Sequence, residues 1–333
     1  MKLGSLELAN RYILAPMQNV TTAPYRRFAR RLQEIGLVYV PMLYTKKIEK
    51  NPKSVEKELF KVEEERPIGI QLIGSDPIAL KKTIDFLDSY KFDILDLNAG
   101  CPSKRAIKSQ EGGYLIKDLE KLNVLINTAV KYSSRPISLK IRTGFEKPVN
   151  IGKLAEIINN SGIDLLIIHA RTVLSRFLDG VLDLDTVKNI KQKVEISVVG
   201  NGNIFNPITA KHFIDYTEVD ALMIGRESMG NPVIFNQLHE YFTNAKQNTF
   251  IKSFNNVKKY IEIYEESIDE YLQGISHPIS NEEIKFIELK RNSIWLTKNI
   301  RNSSHIRRQI SNSRNLTQLK NTLKSIFSLE IKY

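Results

Sequence analysis

Short apolar runs recur along the first two thirds of the chain, with segments of helical spacing between them. The eight runs are YILAP (12–16), LVYVPM (37–42), IGIQLI (68–73), FDILDL (92–97), PISLKI (136–141), IDLLIIH (163–169), EISVVG (195–200) and DALMIG (220–225). Continuous rather than alternating apolarity is typical of strands buried on both faces of a parallel sheet. Eight strand-helix units predict an α/β protein with a (β/α)8 TIM barrel, and a doubly wound sheet is the alternative with the same alternation.

Capping residues mark the ends of several helices between these runs. Asp76 and Asn206 each precede a proline, which is the pattern of an N-cap followed by proline at the first helical position. Gly162 lies where a left-handed C-cap glycine would end a helix. We therefore expect helices to begin after Asp76 and Asn206 and another to end at Gly162.

The strand runs stop after Gly230, and the remaining chain has helical periodicity. Two apolar stripes carry this spacing: Val257, Ile261, Tyr264, Ile268 and Tyr271, followed by Leu316, Leu319, Leu323 and Ile326. The sequence therefore predicts a barrel domain over residues 1–240 and a smaller, all-helical domain over residues 241–333.

The composition is that of an ordinary globular protein, with 42% hydrophobic and 26% charged residues in 333. It excludes collagen-like and disordered chains. The single cysteine, Cys101, excludes an internal disulfide and a CxxC metal site. Because no signal-peptide core or apolar span of about 18 residues is present, we expect a cytoplasmic protein without a membrane anchor.

Positive charge is concentrated at the C-terminal end of the chain. The formal net charge is +12, and residues 285–333 alone contain eleven lysines and arginines against two glutamates, a net charge of +9. The only tryptophan, Trp295, lies in the same segment. A basic helical segment of this kind favours a polyanionic partner.

Polar residues collect at the C-terminal ends of the predicted strands, where the loops of a barrel surround one mouth. GNGN (200–203) follows the seventh strand, and Gly225 and Arg226 follow the eighth. Each turn alone is an ordinary glycine turn. The pair favours a phosphate site, because glycine lets backbone amides approach an anion and Arg226 supplies charge.

Lys140, His169 and Gln71 interrupt or end apolar strands. Lys140 must find an anionic partner or reach solvent; in the mouth it would stabilise a reduced flavin or form a Schiff base as in aldolases, and its position does not separate these two roles. His169 and Gln71 are interpreted equally well as hydrogen-bonded core residues and as site residues.

Cys101 lies on a loop, in NAGCP, rather than inside an apolar segment. A sole thiol is most often buried and inert. A loop thiol, however, is mostly protonated at neutral pH and can deliver a proton to carbon as a general acid.

Several ordered motifs together resemble the tRNA-dihydrouridine synthases, flavin enzymes that reduce uridine in tRNA. They are APMQNVTTAPYRRFAR, QLIGSDP, DLNAGCPSKRAIKSQEGGYLI, LKIRTGF, IHART, GNGNIF and MIGRESMGNP, within about the first 235 residues. The basic tail is similar in kind to the family's tRNA-binding domain. The resemblance implies FMN at the barrel mouth, NADPH as reductant, hydride transfer to C6 of uracil and a proton from the loop cysteine to C5.

Carried onto this sequence, the resemblance implies three sets of residues. The catalytic residues are Cys101, the proton donor, with Lys140 and His169. The FMN contacts are Pro16, Met17, Gln71, Lys140, His169, Asn201, Gly202, Asn203, Gly225 and Arg226. The substrate contacts are Asn98, Lys104, Arg105, Arg142, Arg171, Arg291, Arg307 and Arg308. We expect tRNA as the partner of a monomer, with no metal and no membrane.

Two positions depart from the family's pattern. Thr22 stands where an acidic residue is usual, so a role for that carboxylate does not carry over. Asn203 stands where Asp or Glu is common, so we expect the hydrogen bond to the ribityl chain to be weaker but not lost, since an amide oxygen still accepts.

Three other interpretations compete with this one. A dihydroorotate or dihydropyrimidine dehydrogenase would share the FMN site, but a small pyrimidine does not need a tail of +9 charge. An RNA-binding protein with an inactive barrel would have no need of Cys101, Lys140 and His169. A Schiff-base aldolase would show no dependence on flavin.

Overall fold

The computed structural model describes residues 2–177, 182–244 and 252–328. Glu330 and Lys332, which were counted in the charge of the tail, lie outside the described residues. The chain divides into two compact units, residues 1–22 with 34–225 and residues 23–33 with 226–333. This division follows Gly225, whereas the sequence placed the boundary after residue 240, and it assigns an early segment to the second unit.

Eight parallel strands form the barrel of the first unit. A short antiparallel hairpin, β1 (Lys2–Leu3) and β2 (Leu6–Glu7), precedes them. The barrel strands are β3 (Tyr12–Leu14), β4 (Val38–Tyr44), β5 (Ile68–Ile73), β6 (Ile94–Ala99), β7 (Ile137–Arg142), β8 (Leu165–His169), β9 (Ser197–Asn201) and β10 (Ala221–Ile224). Their spatial order is β3-β10-β9-β8-β7-β6-β5-β4, and a parallel bridge between Ile13 and Leu37 joins the two ends of the sheet.

The observed barrel confirms the predicted (β/α)8 fold class. Every predicted apolar run coincides with one barrel strand, with ends that differ by at most two residues. The prediction succeeds because these strands are covered on both faces, which leaves a continuous apolar signal in the sequence.

Helices and turns connect the strands. The helices up to β10 are α1 (Ala23–Leu32), α2 (Thr45–Lys50), α3 (Glu56–Leu59), α4 (Pro77–Leu87), α5 (Lys104–Lys108), α6 (Leu119–Tyr132), α7 (Ile151–Ser161), α8 (Leu184–Lys191) and α9 (Pro207–Thr217), with 3-10 turns at Pro52–Val55, Glu63–Glu65 and Gly112–Ile116.

The predicted caps are confirmed. The side chain of Asp76 accepts hydrogen bonds from the first turn of α4, and the side chain of Asn206 caps α9 in the same way. Gly162 ends α7 at a φ of 77°, a left-handed conformation that favours glycine.

An apolar layer fills the barrel interior below the carboxyl ends of the strands. Its buried members are Leu8, Ile13, Ala15, Leu37, Tyr39, Ile94, Leu165, Ile167, Val199, Ala221 and Met223. Two residues further along β8 and β9, the inward positions change to His169 and Asn201. The barrel interior is therefore a packed apolar core that becomes polar at the carboxyl ends of the strands, which form the mouth.

The second unit is helical, as predicted for the tail. Its elements after β10 are α10 (Glu227–Gly230), α11 (Ile234–Asn244), α12 (Phe254–Gly274), α13 (Asn281–Leu296), α14 (Ser303–Asn312) and α15 (Leu316–Ser328). The predicted stripe of α12 is buried throughout, from Val257 to Tyr271. Phe28 of α1 meets Tyr264 of α12 edge to face, with ring centroids 5.3 Å apart, and this packing brings α1 into the unit.

Membrane-spanning helices and metal-binding clusters are both absent from the described part of the chain. None of its helices has both the length and the apolarity needed to cross a bilayer. None of its clusters of His, Cys, Asp and Glu has three members placed to hold a metal ion.

Candidate active site

Inward-facing positions of neighbouring strands bring the predicted site residues together at the barrel mouth. In the sheet register Gln71 lies beside Asp96 and Asn98 beside Lys140. His169 of β8 lies beside Asn201 of β9. Residues paired in register point to the same face of a sheet, so these side chains share the barrel interior.

Asp96 lies at the centre of this polar layer. Its side chain is fully buried, and it accepts hydrogen bonds from Nε2 of Gln71 at 2.7 Å and from Oγ of Ser138 at 2.6 Å. Burial raises the pKa of the Asp96 carboxyl to about 7, against the opposing effect of these hydrogen bonds and of Lys140. Sequence reasoning missed Asp96, although an acid within the apolar run ILDL is the same kind of signal that Lys140 gives.

Asn98 connects this layer to the loop of Cys101. Nδ2 of Asn98 donates to Oε1 of Gln71 at 2.8 Å. Its Oδ1 accepts the backbone N–H groups of Gly100 at 3.1 Å and Cys101 at 2.9 Å. The half-buried Cys101 thiol lies 3.5 Å from Oγ of Ser103. The backbone of the predicted proton donor is thus linked through Asn98 to Gln71, a predicted flavin contact.

Lys140 carries a positive charge into the mouth. Its Nζ donates to Oδ1 of Asn201 at 3.4 Å, and Asn201 in turn donates to the carbonyl of Met223 at 2.7 Å. Burial, with the nearby Arg142 guanidinium, lowers the pKa of Lys140 to about 8. The Asp96 carboxyl opposes this shift, but the hydrogen-bond acceptor of Nζ is a neutral amide, so the site suits an anionic or electron-rich ligand.

His169 is buried and is held by Arg171. Nη1 of Arg171 lies 3.2 Å from Nε2 of His169, and Nη2 donates to Oδ1 of Asn203 at 2.8 Å. A guanidinium only donates, so Nε2 is the acceptor and the ring proton lies on Nδ1. The ring of Phe177 lies 6.1 Å from the His169 ring.

The guanidinium of Arg142 is hydrogen-bonded to backbone carbonyl oxygens. Its guanidinium donates to Gly100 at 2.9 Å, to Thr172 at 2.9 Å and to Arg176 at 2.6 Å. Burial, with a contribution from Arg171, lowers the pKa of Arg142 to about 10. Its observed contacts therefore anchor the Cys101 loop, while its predicted contact with substrate stays a prediction.

The other predicted residues of the first unit lie around the same mouth or on loops that follow its strands. Gly202 has a φ of 133°, which favours glycine, and Asn203 follows it with a φ of 48°. Pro16, Met17 and Gly225 follow β3 and β10, and Lys104 and Arg105 are exposed on α5. Their assignment to cofactor or substrate stays a prediction.

The basic residues of the second unit fall into two groups. Lys285 and Lys320 form ion pairs with Glu265 at 2.8 and 2.7 Å, and Arg291 pairs with Glu288. Arg307 and Arg308 are exposed on α14, and neither forms an ion pair within the residues that the structure describes. Arg226, the first residue of this unit after β10, is also exposed.

Trp295 of α13 packs against two neighbouring side chains of the second unit. The guanidinium carbon of Arg291 lies over the Trp295 ring, 5.6 Å from its centroid. The Trp295 ring also meets the Tyr25 ring edge to face, with centroids 6.4 Å apart. Trp295 is therefore part of the helical packing.

Comparison with known proteins gives consistent matches. The sequence model described as Dihydrouridine synthase (Dus) matches residues 13–332. The tRNA-dihydrouridine synthase B of Pasteurella multocida (strain Pm70) is 33% identical over 297 residues, covering 83% of this chain and 87% of that protein. The protein of the same name from Vibrio vulnificus (strain CMCP6) is 35% identical over 250 residues, covering 74% and 76%.

Solved structures match at the level of the fold. The crystal structure of TcOYE with pHBA has a TM-score of 0.53 at 13% identity, covering 74% of this chain and 92% of that chain. The 6-hydroxypseudooxynicotine amine oxidase (HisD) of Pseudomonas geniculata N1 has a TM-score of 0.57 at 11% identity, covering 79% and 52%. The family match over nearly the whole length, with relatives above 30% identity, shows that the chain belongs to the dihydrouridine synthase family of NAD(P)H-dependent flavin oxidoreductases.

Proposed function

We propose that this protein reduces uridine to 5,6-dihydrouridine in tRNA, with FMN as its cofactor and NADPH as the reductant. The observation that supports this most strongly is the convergence of Cys101, Lys140, His169 and Gln71 at one barrel mouth in a member of this family. The same residue types at scattered positions would support no particular reaction.

The residues at the mouth fit a flavin. Lys140 is a desolvated cation beside a neutral amide, an environment that favours a ligand with negative charge on its ring. Gln71 is 2% exposed, and after its hydrogen bonds to Asp96 and Asn98 its amide retains a second N–H for the flavin. In this proposal Asn201, Gly202 and Gly225, with Pro16, Met17, Asn203 and Arg226, hold the remainder of the FMN.

The chemistry divides between the cofactor and the chain. FMN, when bound, supplies the hydride that adds to C6 of uracil. Lys140 and His169 stabilise the negative charge that develops on the pyrimidine carbonyl. Cys101 then delivers its thiol proton to C5, so that one hydride and one proton saturate the ring double bond. Asn98, which accepts the backbone N–H of Cys101 at 2.9 Å, would orient the loop that carries this thiol.

The basic helical unit binds the phosphate backbone in this proposal. A base that reacts within folded RNA must leave its stack, which costs a few kcal/mol that other contacts must offset. Arg307 and Arg308 provide exposed positive charge for those contacts, whereas Lys285, Arg291 and Lys320 are partly neutralised by carboxylates.

Mass spectrometry of the product tests the proposed function. The purified protein is incubated with FMN, NADPH and tRNA that lacks dihydrouridine, and parallel reactions contain orotate or free uracil. A gain of two hydrogens at a uridine of the tRNA is the expected result. Reduction of a free pyrimidine with no change in tRNA would favour the small-molecule dehydrogenase, and a protein that binds no flavin would contradict the proposal.

A further inference from the structure

The buried carboxyl of Asp96 has a polar partner on each oxygen. Oδ2 accepts from Gln71 at 2.7 Å, and Oδ1 lies 2.6 Å from Oγ of Ser138, which is itself 3.3 Å from the hydroxyl of Tyr39. Asp96 and Ser138 are 0% exposed and Gln71 is 2% exposed. Groups so deeply buried must satisfy one another, because water does not compensate a lost hydrogen bond there.

The donors and acceptors along this series have one consistent arrangement. Oδ1 of Asn98 accepts two backbone N–H groups of the Cys101 loop, so its Nδ2 must face Gln71. Gln71 then presents Oε1 to Asn98 and Nε2 to residue 96. Residue 96 must therefore offer an acceptor. An Asp96 proton, when present, lies on Oδ1 toward Ser138, and Oδ2 accepts in either state.

The loop of Cys101 is held from two sides. On the amide side, Asn98 accepts from Gly100 and Cys101 at 3.1 and 2.9 Å. On the carbonyl side, Arg142 donates to Gly100 at 2.9 Å and the backbone N–H of Gly113 donates to Cys101 at 2.9 Å. The amide side depends on the orientation of the Asn98 side chain. Its Nδ2 donates to Gln71 at 2.8 Å and has a longer contact with Sδ of Met42 at 3.8 Å, so Gln71 is its main polar partner.

We propose that Asp96 is a positioning residue, which fixes the Cys101 loop through the side chains of Gln71 and Asn98. The value of that position for catalysis rests on the proposed function. The positioning itself is a property of the protein without any ligand.

Three variants separate this role from a general loss of packing. Asp96→Ala removes the acceptor of the buried Gln71 amide, so that amide is free to turn and the hydrogen bond from Asn98 to Gln71 is no longer fixed. Asp96→Asn keeps the arrangement, with its oxygen toward Gln71 and its NH2 group toward Ser138. Asp93→Ala is the matched control. Asp93 precedes the same strand at the opposite end of the barrel, where it accepts from the backbone N–H of Ile68 at 2.7 Å.

Alkylation of the single cysteine in the flavin-free protein is the direct measurement. Cys101 is the only thiol, so the rate of iodoacetamide labelling, corrected for the thiolate fraction by a pH series, reports this loop alone. We expect Asp96→Ala to label about five-fold faster or more, which is the factor for about 1 kcal/mol of lost loop order. Asp96→Asn and Asp93→Ala should label within about two-fold of the unaltered protein, a difference below about 0.5 kcal/mol.

Unchanged labelling in Asp96→Ala, or an equal rise in Asp93→Ala, would overturn the proposal. If Asp96→Ala does not fold, Gln71→Met interrupts the same series while keeping the carboxyl, and it must show the same faster labelling. Single-turnover reaction with tRNA gives the second readout: Asp96→Ala should slow the tRNA step more than the NADPH step. If the unaltered protein does not reduce tRNA, the proposed function fails, and the labelling still decides the positioning role.

Discussion

Nη1 of Arg171 lies 3.2 Å from Nε2 of His169, and this contact determines which nitrogen of the buried ring carries the proton. Because the guanidinium only donates, Nε2 accepts and Nδ1 is protonated. A second donor of Arg171 contacts Oδ1 of Asn203 at 2.8 Å, so the same side chain also holds the loop that follows β9. One arginine thereby links the predicted catalytic histidine to the predicted FMN site.

Arg171→Met should release the His169 ring from this tautomer. The chain has five histidines, so the 15N NMR spectrum of the imidazoles is simple enough to follow one ring. We expect an unprotonated Nε2 at His169 in the unaltered protein, and a mixture of tautomers in Arg171→Met. Arg171→Lys, which keeps a donor, is the control, and identical spectra for all three proteins would contradict this assignment.

The acid-base behaviour of the mouth predicts a pH dependence of stability. The pKa of Asp96 is raised to about 7 in the folded protein, so below pH 7 the folded state takes up a proton before the unfolded chain does. This group therefore adds stability as pH falls from 7 toward 4, by up to about 1.4 kcal/mol per pH unit. As pH rises from 5 to 7.5, the unaltered protein should lose this contribution to its free energy of unfolding, whereas Asp96→Asn should not. Urea unfolding at the two pH values measures this difference. A difference that does not change with pH would contradict the raised pKa.

Lys140 should contribute to the pH dependence of stability in the alkaline range. Its folded-state pKa of about 8 is below that of an ordinary lysine, so between pH 8 and about 10.5 the unfolded chain binds the proton more tightly. Stability from this group therefore rises with pH across that window. Lys140→Met should remove the rise, and comparing the two unfolding curves at pH 7.5 and pH 9.5 measures it. An equal change in both proteins would contradict the assignment.

Cys101→Ala should separate the two half-reactions. Reduction of the flavin by NADPH needs no proton from this thiol and should stay within about two-fold, whereas loss of a general acid slows the tRNA step by about 10²- to 10⁴-fold. Cys101→Ser, with a similar shape but a much weaker acid, should resemble Cys101→Ala. Rapid-mixing absorbance of each step is the measurement, and an equal loss in both steps would remove Cys101 from the role of proton donor.

Arg307→Ala combined with Arg308→Ala should weaken tRNA binding and flatten its dependence on salt. Two lost phosphate contacts reduce the slope of log K against log salt by about 1.4 to 1.8. The matched control is the adjacent pair Lys81 and Lys82 on α4, which is neutralised by Asp85 at 2.7 Å and by Glu49 at 2.9 Å. If both double variants change the slope equally, only net charge matters and α14 has no special role.

The sequence predicts the barrel well because double-sided burial leaves a continuous apolar signal in each strand. It also identifies Lys140 and Gln71, since both interrupt such a run. Asp96 interrupts such a run as well, but the run alone does not separate a structural carboxyl from a surface one. The hydrogen bonds at 2.7 and 2.6 Å make that distinction. Contacts between side chains on different strands depend on register, which a single sequence does not specify.

Charge pairing in the second unit is a further property that the sequence alone does not predict. The tail's net charge of +9 was counted over residues 285–333, but Glu265 and Asp269 of α12 neutralise part of it from outside that segment. Likewise α1 joins the second unit because Tyr25 and Phe28 pack against α12 and α13, and both residues look like ordinary apolar positions of a barrel helix in the sequence. Charge pairing and helix docking are tertiary properties.

In the proposed reaction, a flavin at this barrel mouth passes its electrons to uridine in tRNA. The most direct measurement reduces the flavin-loaded protein with NADPH without oxygen, adds tRNA that lacks dihydrouridine, and follows the flavin absorbance. We predict that tRNA restores the oxidised spectrum while orotate and free uracil leave it reduced. A flavin that is reoxidised by a free pyrimidine and not by tRNA, or a protein that binds no flavin, would contradict the account.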